Sequence, residues 1–92
     1  PLAFDNAISR QAAEAKGIRS TVAGEVDILL APDLEAGNIL SKQLQYLAGA
    51  TAAGIVMGAR VPIILTSRAD GSLERLASSA VALLVARHMG RL

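Results

Sequence analysis

The chain has 92 residues, enough for one small domain, and at 52% hydrophobic and 18% charged it does not read as disordered. With no cysteine and a single histidine, a disulfide framework, thiolate catalysis and a Cys- or His-based metal site are excluded. A net charge of +1, with the Lys and Arg residues scattered, excludes the concentrated positive surface that displaces counterions from nucleic acid.

Asp5 is a good N-cap, and Asn6–Lys16, rich in Ala and stopping at Gly17, predicts a first helix. The loop Ile18–Glu25 leads into Val26–Ala31, an apolar run ended by Pro32. That is the pattern of a strand buried on both faces of a parallel sheet. Pro32–Asn38 surrounds a helix start, after which Ile39, Leu40, Leu44 and Leu47 recur at helical spacing until Gly49. Gly54–Ala59 and Pro62–Thr66 are too short for helices and predict two strands joined tightly around Arg60; Gly54 and Gly58 suggest close packing there. A polar loop, Thr66–Ser72, precedes a last helix over Leu73–Met89, with His88 favourably placed near its C-terminus. Phe4 and Tyr46 are the only aromatics, so the core is expected to be Ala, Leu, Ile and Val, with Tyr46, Met57 and Met89 in core or interface.

Helix, strand, helix, strand, strand, helix predicts an α/β fold with helices packed on a small mixed sheet. A mean hydropathy of +0.44 is high for so short a chain, whose surface is large for its volume. No run approaches the ~20 apolar residues that span a bilayer, and no basic-then-apolar leader opens the chain. The expected explanation is a second domain, a second subunit or both, with neither membrane nor nucleic acid as partner.

Two junctions between apolar runs and helices can carry chemistry, since ligands of open α/β sheets gather at strand ends. At Pro32–Asn38, Asp33, Glu35 and Asn38 suit helix capping as well as they suit binding. At the second, Thr66, Ser67 and Arg68 end a strand and Gly71-Ser72 opens a helix. Hydroxyls, a guanidinium and free N–H groups there suit a phosphate or an oxyanion. Arg68 can grip phosphate through two parallel bonds, or it can simply pair with Asp70 or Asp33 while Ser72 serves as an N-cap. Neither a GxGxxG nor a Walker sequence occurs, so neither standard nucleotide site is supported.

Three blocks carry a resemblance: Pro1–Ser9 (PLAFDNAIS), Asp27–Asn38 (DILLAPDLEAGN) and Ala53–Asp70 (AGIVMGARVPIILTSRAD). In this order they resemble the C-terminal part of the phosphate acetyltransferase and phosphate butyryltransferase family, including the acyltransferase half of bifunctional enoyl-CoA hydratase/phosphate acetyltransferases. The wording from Arg60 to Asp70 looks closest to the butyryl branch. The resemblance implies a two-domain fold like that of isocitrate and isopropylmalate dehydrogenases, with residues 1–92 forming a C-terminal acyltransferase domain whose first domain is absent. It also implies a cytoplasmic homo-oligomer. The implied reaction is reversible: acyl-CoA and phosphate give acyl phosphate and CoA, with CoA as substrate and no covalently bound cofactor or metal. By position, Ser67 would bond the carbonyl oxyanion or the thiol, and Arg68 would bind phosphate. Glu74 stands where the acetyl branch has its proposed base, an Asp, and Asp70 is the alternative. Thr66, Ser72, Asn38, Asp5 and Asn6 would line the substrate cleft, whereas Asp33 stands where many relatives carry Asn. Half a cleft is expected not to catalyse by itself. The competing readings are a non-catalytic dimerisation or assembly module that kept the fold and, more weakly, a nicotinamide-dependent dehydrogenase fragment.

Overall fold

The computed structural model describes residues 2–92. Its elements are α1 (Phe4–Ile8), α2 (Arg10–Ala15), α3 (Leu34–Tyr46), β1 (Ile55–Val56), β2 (Ile63–Ile64) and α4 (Ser72–His88). The chain divides into two compact units, Pro1–Ile39 and Leu40–Leu92.

In the first unit the helix expected over Asn6–Lys16 is two helices, because Ser9 interrupts it. Ser9 is extended (φ −126°, ψ 111°), and its Oγ accepts from Ala12 N at 3.1 Å as the N-cap of α2. Serine gains more by capping than by continuing a helix, where its hydroxyl competes with the backbone ladder. Asp5 therefore lies inside α1 and does not cap it; Ala3 holds that position without a side-chain bond. The two helices pack together, burying Ala7 and Ala13, and Ala23 of the following loop is buried too. Gly24 (φ 83°) allows that loop to close on the first helices. Its N–H donates to Asn6 O at 2.9 Å, and a Cβ there would stand 2.5 Å from Arg10 N. Arg10 and Glu25 add an ion pair at 2.9 Å.

The strand expected over Val26–Ala31 does not form. Strands exist by hydrogen-bonding to neighbours, and among the described residues none pairs with this run. Ile28 and Leu30 are 82% and 93% exposed, beside an open apolar groove of about 520 Å³ lined in part by Ala7, Val22 and Val26. At the next helix start Asp33 Oδ1 accepts from Ala36 N at 2.7 Å, so α3 begins at Leu34. Asn38 is consequently in the second turn and not at the helix start.

In the second unit, β1 and β2 pair antiparallel, Ile55 opposite Ile64 and Val56 opposite Ile63. The expected mixed sheet is therefore a two-stranded antiparallel one. Residues 57–62 suffice to reverse the chain, whereas a parallel pair requires a long crossover. Close packing is located at Gly54: its N–H donates to Ser78 Oγ at 2.9 Å, and a Cβ would lie 2.4 Å from Leu65 O. Ser78 is 1% exposed, and its hydroxyl donates to Glu74 O at 2.7 Å.

Helix α4 packs on both strands, with Ser78 and Ala82 its buried residues. Leu73, Leu76, Leu83 and Leu84, of which Leu73 lies three before Leu76 and Leu83 and Leu84 lie seven and eight after it on one stripe, are all exposed. Among the described residues the buried hydrophobic ones are Ala7, Ala13, Ala23 and Ala82, so the expected Leu, Ile and Val core is not closed. Tyr46 and Met57 are likewise exposed, and so is Met89, less fully.

Candidate functional site

The junction between β2 and α4 is built from its own side chains. Asp70 Oδ2 accepts from Ser67 N at 2.7 Å, and Asp70 N donates to Ser67 O at 3.1 Å, closing a tight turn. Ser67 Oγ accepts from Ala69 N at 3.3 Å and from the Lys42 ammonium at 3.4 Å. Arg75 reaches back from α4, donating to Thr66 Oγ1 at 3.1 Å and to Ser67 O at 3.4 Å. Glu74 Oε2 accepts from Gly71 N at 3.1 Å.

Thr66, Ser67, Arg68, Asp70, Ser72 and Glu74 therefore lie on one turn and the first turn of one helix. Gly71 is the N-cap, so Ser72 is the first helical residue and does not cap. Glu74 is the third residue of α4, within its first turn, and its carboxylate ties the helix start. Within the second unit the pairing of Arg68 with Asp70 is not formed: Asp70 gives an oxygen to Ser67 N, and among the described residues of that unit Arg68 makes no ion pair. Arg68 is exposed. Arg68 comes four residues before the start of α4, whose first backbone N–H groups have no intrahelical partner, and residues of these types close together in the chain suit an anion.

The remaining expected site residues lie in the first unit. Asp5 is exposed and ion-paired with Lys16, and Asn6 N donates to its Oδ1 at 2.9 Å. The Lys16 ammonium, more than that backbone donor, holds the Asp5 carboxyl below its ordinary value. Asn6 is 4% exposed, and its Oδ1 has no donor among the described residues, whereas most buried polar atoms are bonded. Asn38 is exposed on α3.

Lys42 and Arg75 were not among the expected site residues. Lys42 is twenty-five positions from Ser67, and no local spacing signals that meeting. Arg75 did leave a trace: a cation one turn into a helix opposes the helix dipole, which implies that something else holds it there.

Residues 1–83 match the model of the phosphate acetyl/butaryl transferase family, and the chain belongs to that family. It is 65% identical over 86 residues to the phosphate acetyltransferase of Rhizobium meliloti, covering 94% of this chain and 27% of that protein. To the probable phosphate butyryltransferase of Bacillus subtilis it is 54% identical, over 90% of this chain and 28% of the relative. A crystal structure of a branched-chain phosphotransacylase from Enterococcus faecalis is similar at a TM-score of 0.77 and 35% identity, over 90% of this chain and 31% of that one. The chain spans between a quarter and a third of the length of these three proteins.

Proposed function

We propose that the chain is the C-terminal part of a phosphate acyltransferase that moves an acyl group, acetyl or butyryl, between CoA and inorganic phosphate. The observation that carries this reading is Arg68, a guanidinium without a carboxylate on a turn rich in hydroxyl and N–H groups. Phosphate attacks the thioester carbonyl directly. The chemistry then requires an anion grip, a donor for the carbonyl oxygen and, in reverse, a base for the CoA thiol. Arg68 grips phosphate and Ser67 serves the reacting centre. Asp70 or Glu74, each with one oxygen already bonded, takes the proton. Thr66, Ser72, Asn38, Asp5 and Asn6 contribute to substrate binding. The rest of the protein supplies the opposing wall in a two-domain, dehydrogenase-like architecture. Among the described residues no helix is long and apolar enough to cross a membrane. The cytoplasm is the compartment that the family resemblance implies.

A second reading, a non-catalytic assembly module, is favoured by the exposed leucine stripe of α4. One experiment separates them: acyl-CoA phosphorolysis by the full-length protein and its Arg68→Ala variant. Losing a charge-assisted bond worth roughly 1.5–3 kcal/mol lowers turnover about ten- to a hundredfold, and Arg68→Lys recovers part of it. Unchanged turnover and phosphate dependence would move the phosphate site elsewhere; absence of activity in the parent protein would favour the module.

A further inference from the structure

The Ser67 hydroxyl has an unusual set of partners. A serine oxygen offers two acceptor lone pairs and one donated proton. Here both acceptor positions are in use, one by Ala69 N at 3.3 Å and one by the Lys42 ammonium at 3.4 Å. Among the described residues nothing accepts the Ser67 proton. Lys42 is half-buried on α3 and meets no carboxylate; its Nζ otherwise lies 6.0 Å from the centroid of the Tyr46 ring. Its charge is thus spent on a neutral hydroxyl.

We propose that Lys42 is a positioning residue that, with Ala69 N–H, makes Ser67 a hydrogen-bond donor only. The inference rests on the phosphate acyltransferase reading and narrows it. Two incoming donors turn the hydroxyl proton away from themselves, and the adjacent ammonium polarises the O–H bond. A group fixed in this way cannot take the thiol proton. It can donate to an oxygen that gains negative charge, as the thioester carbonyl oxygen does when phosphate or a thiolate adds to carbon. Donors fixed in advance are effective because no reorientation is needed during reaction, and removing one such donor commonly costs about a hundred- to a thousandfold in turnover. Lys42 orients the donor without being it, so its loss costs less. Proton removal from CoA then falls to a carboxylate and not to Ser67.

The test is a double-mutant cycle in the full-length protein, with kcat and both KM values measured. Lys42→Met lowers kcat about tenfold while the KM values for acyl-CoA and phosphate stay within about twofold. Lys42→Arg, which keeps a charged donor, restores most of the loss. In a Ser67→Ala background Lys42→Met changes kcat less than about twofold, because the group it positions is gone. Three outcomes overturn the inference while wild-type turnover stands: an unchanged kcat, a loss of equal size with and without the Ser67 hydroxyl, or a rise in KM at constant kcat. The last would make Lys42 a direct substrate ligand. A Lys42→Met protein that fails to fold, with Lys42→Arg no better, makes Lys42 a structural residue and overturns it too. A wild-type protein without acyl transfer defeats the functional reading itself, and the inference with it.

Discussion

Asp5 and Lys16 illustrate what a single capping residue can decide. On one straight helix they would be separated by eleven residues, about 16 Å of rise, beyond the reach of an ion pair. The interruption at Ser9, where the hydroxyl caps α2, lets α1 and α2 pack together and brings the ammonium to the carboxylate. Because this bond depresses the folded pKa of Asp5, the contribution is complete at neutral pH and down to the ordinary carboxylate value. It is lost as pH falls through the lower folded value. Both groups are about half exposed, so salt screens the pair. An NMR titration of the Asp5 side-chain carboxyl is expected to show a midpoint below that of a free Asp, returning upward in Lys16→Met and at high salt. A midpoint indifferent to Lys16 would assign the depression to the Asn6 N–H. The sequence names Asp5 readily, but it hides this partner, because the distance depends on one serine leaving the helical conformation.

Elements differ in how far they can be read from the chain. The hairpin and α4 are legible because their signals are local: apolar runs of strand length, a polar turn, then an amphipathic repeat bounded by Gly71 and Gly90. The Thr66–Ser72 junction was legible as a polar turn before a helix for the same reason, since its hydroxyls and Arg68 are close together in the chain. Val26–Ala31 was not, because a near-continuous apolar run forms a strand only when neighbouring strands are present, and among the described residues none pairs with it. Lys42 was hidden likewise, its meeting with Ser67 being a property of packing. Within the hairpin, Gly54 is the least replaceable position. Gly54→Ala puts a methyl group 2.4 Å from Leu65 O, which forces β2 away and strains the bond from Gly54 N to Ser78 Oγ. The expected cost is about 1–3 kcal/mol, read as a lowered midpoint in thermal or urea unfolding. An alanine variant as stable as the wild type would mean that the hairpin adjusts freely.

At the scale of the molecule, the distribution of side-chain size is inverted. Helix α4 buries Ser78 and Ala82 while Leu76 and Leu84 stay 70% and 68% exposed. Apolar area of this kind stabilises by roughly 25 cal/mol per Å² once covered, so the uncovered stripe is a large unused driving force. We expect the 92-residue chain, prepared alone, to self-associate and to bind a dye that reports exposed apolar surface. Sedimentation should show species heavier than 9.5 kDa, with dye signal rising as they dissociate. A monodisperse monomer without dye binding would show that the leucines are already satisfied. Such a result would also remove the main support for a second subunit or domain as their cover.

The unpaired run Val26–Ala31 carries one further consequence. Six residues in length, with free backbone groups and four exposed large side chains nearby in Val22, Ile28, Leu29 and Leu30, it has the make-up of a segment that stacks into cross-β fibrils. Asp27 is its one charged residue, and it forms no ion pair among the described residues. In an in-register stack each Asp27 would face its own copies, and the repulsion would accumulate with every chain added. Asp27 is thus the gatekeeper of the segment, and the charge that makes it a poor member of a buried strand protects the chain whenever that strand lacks neighbours.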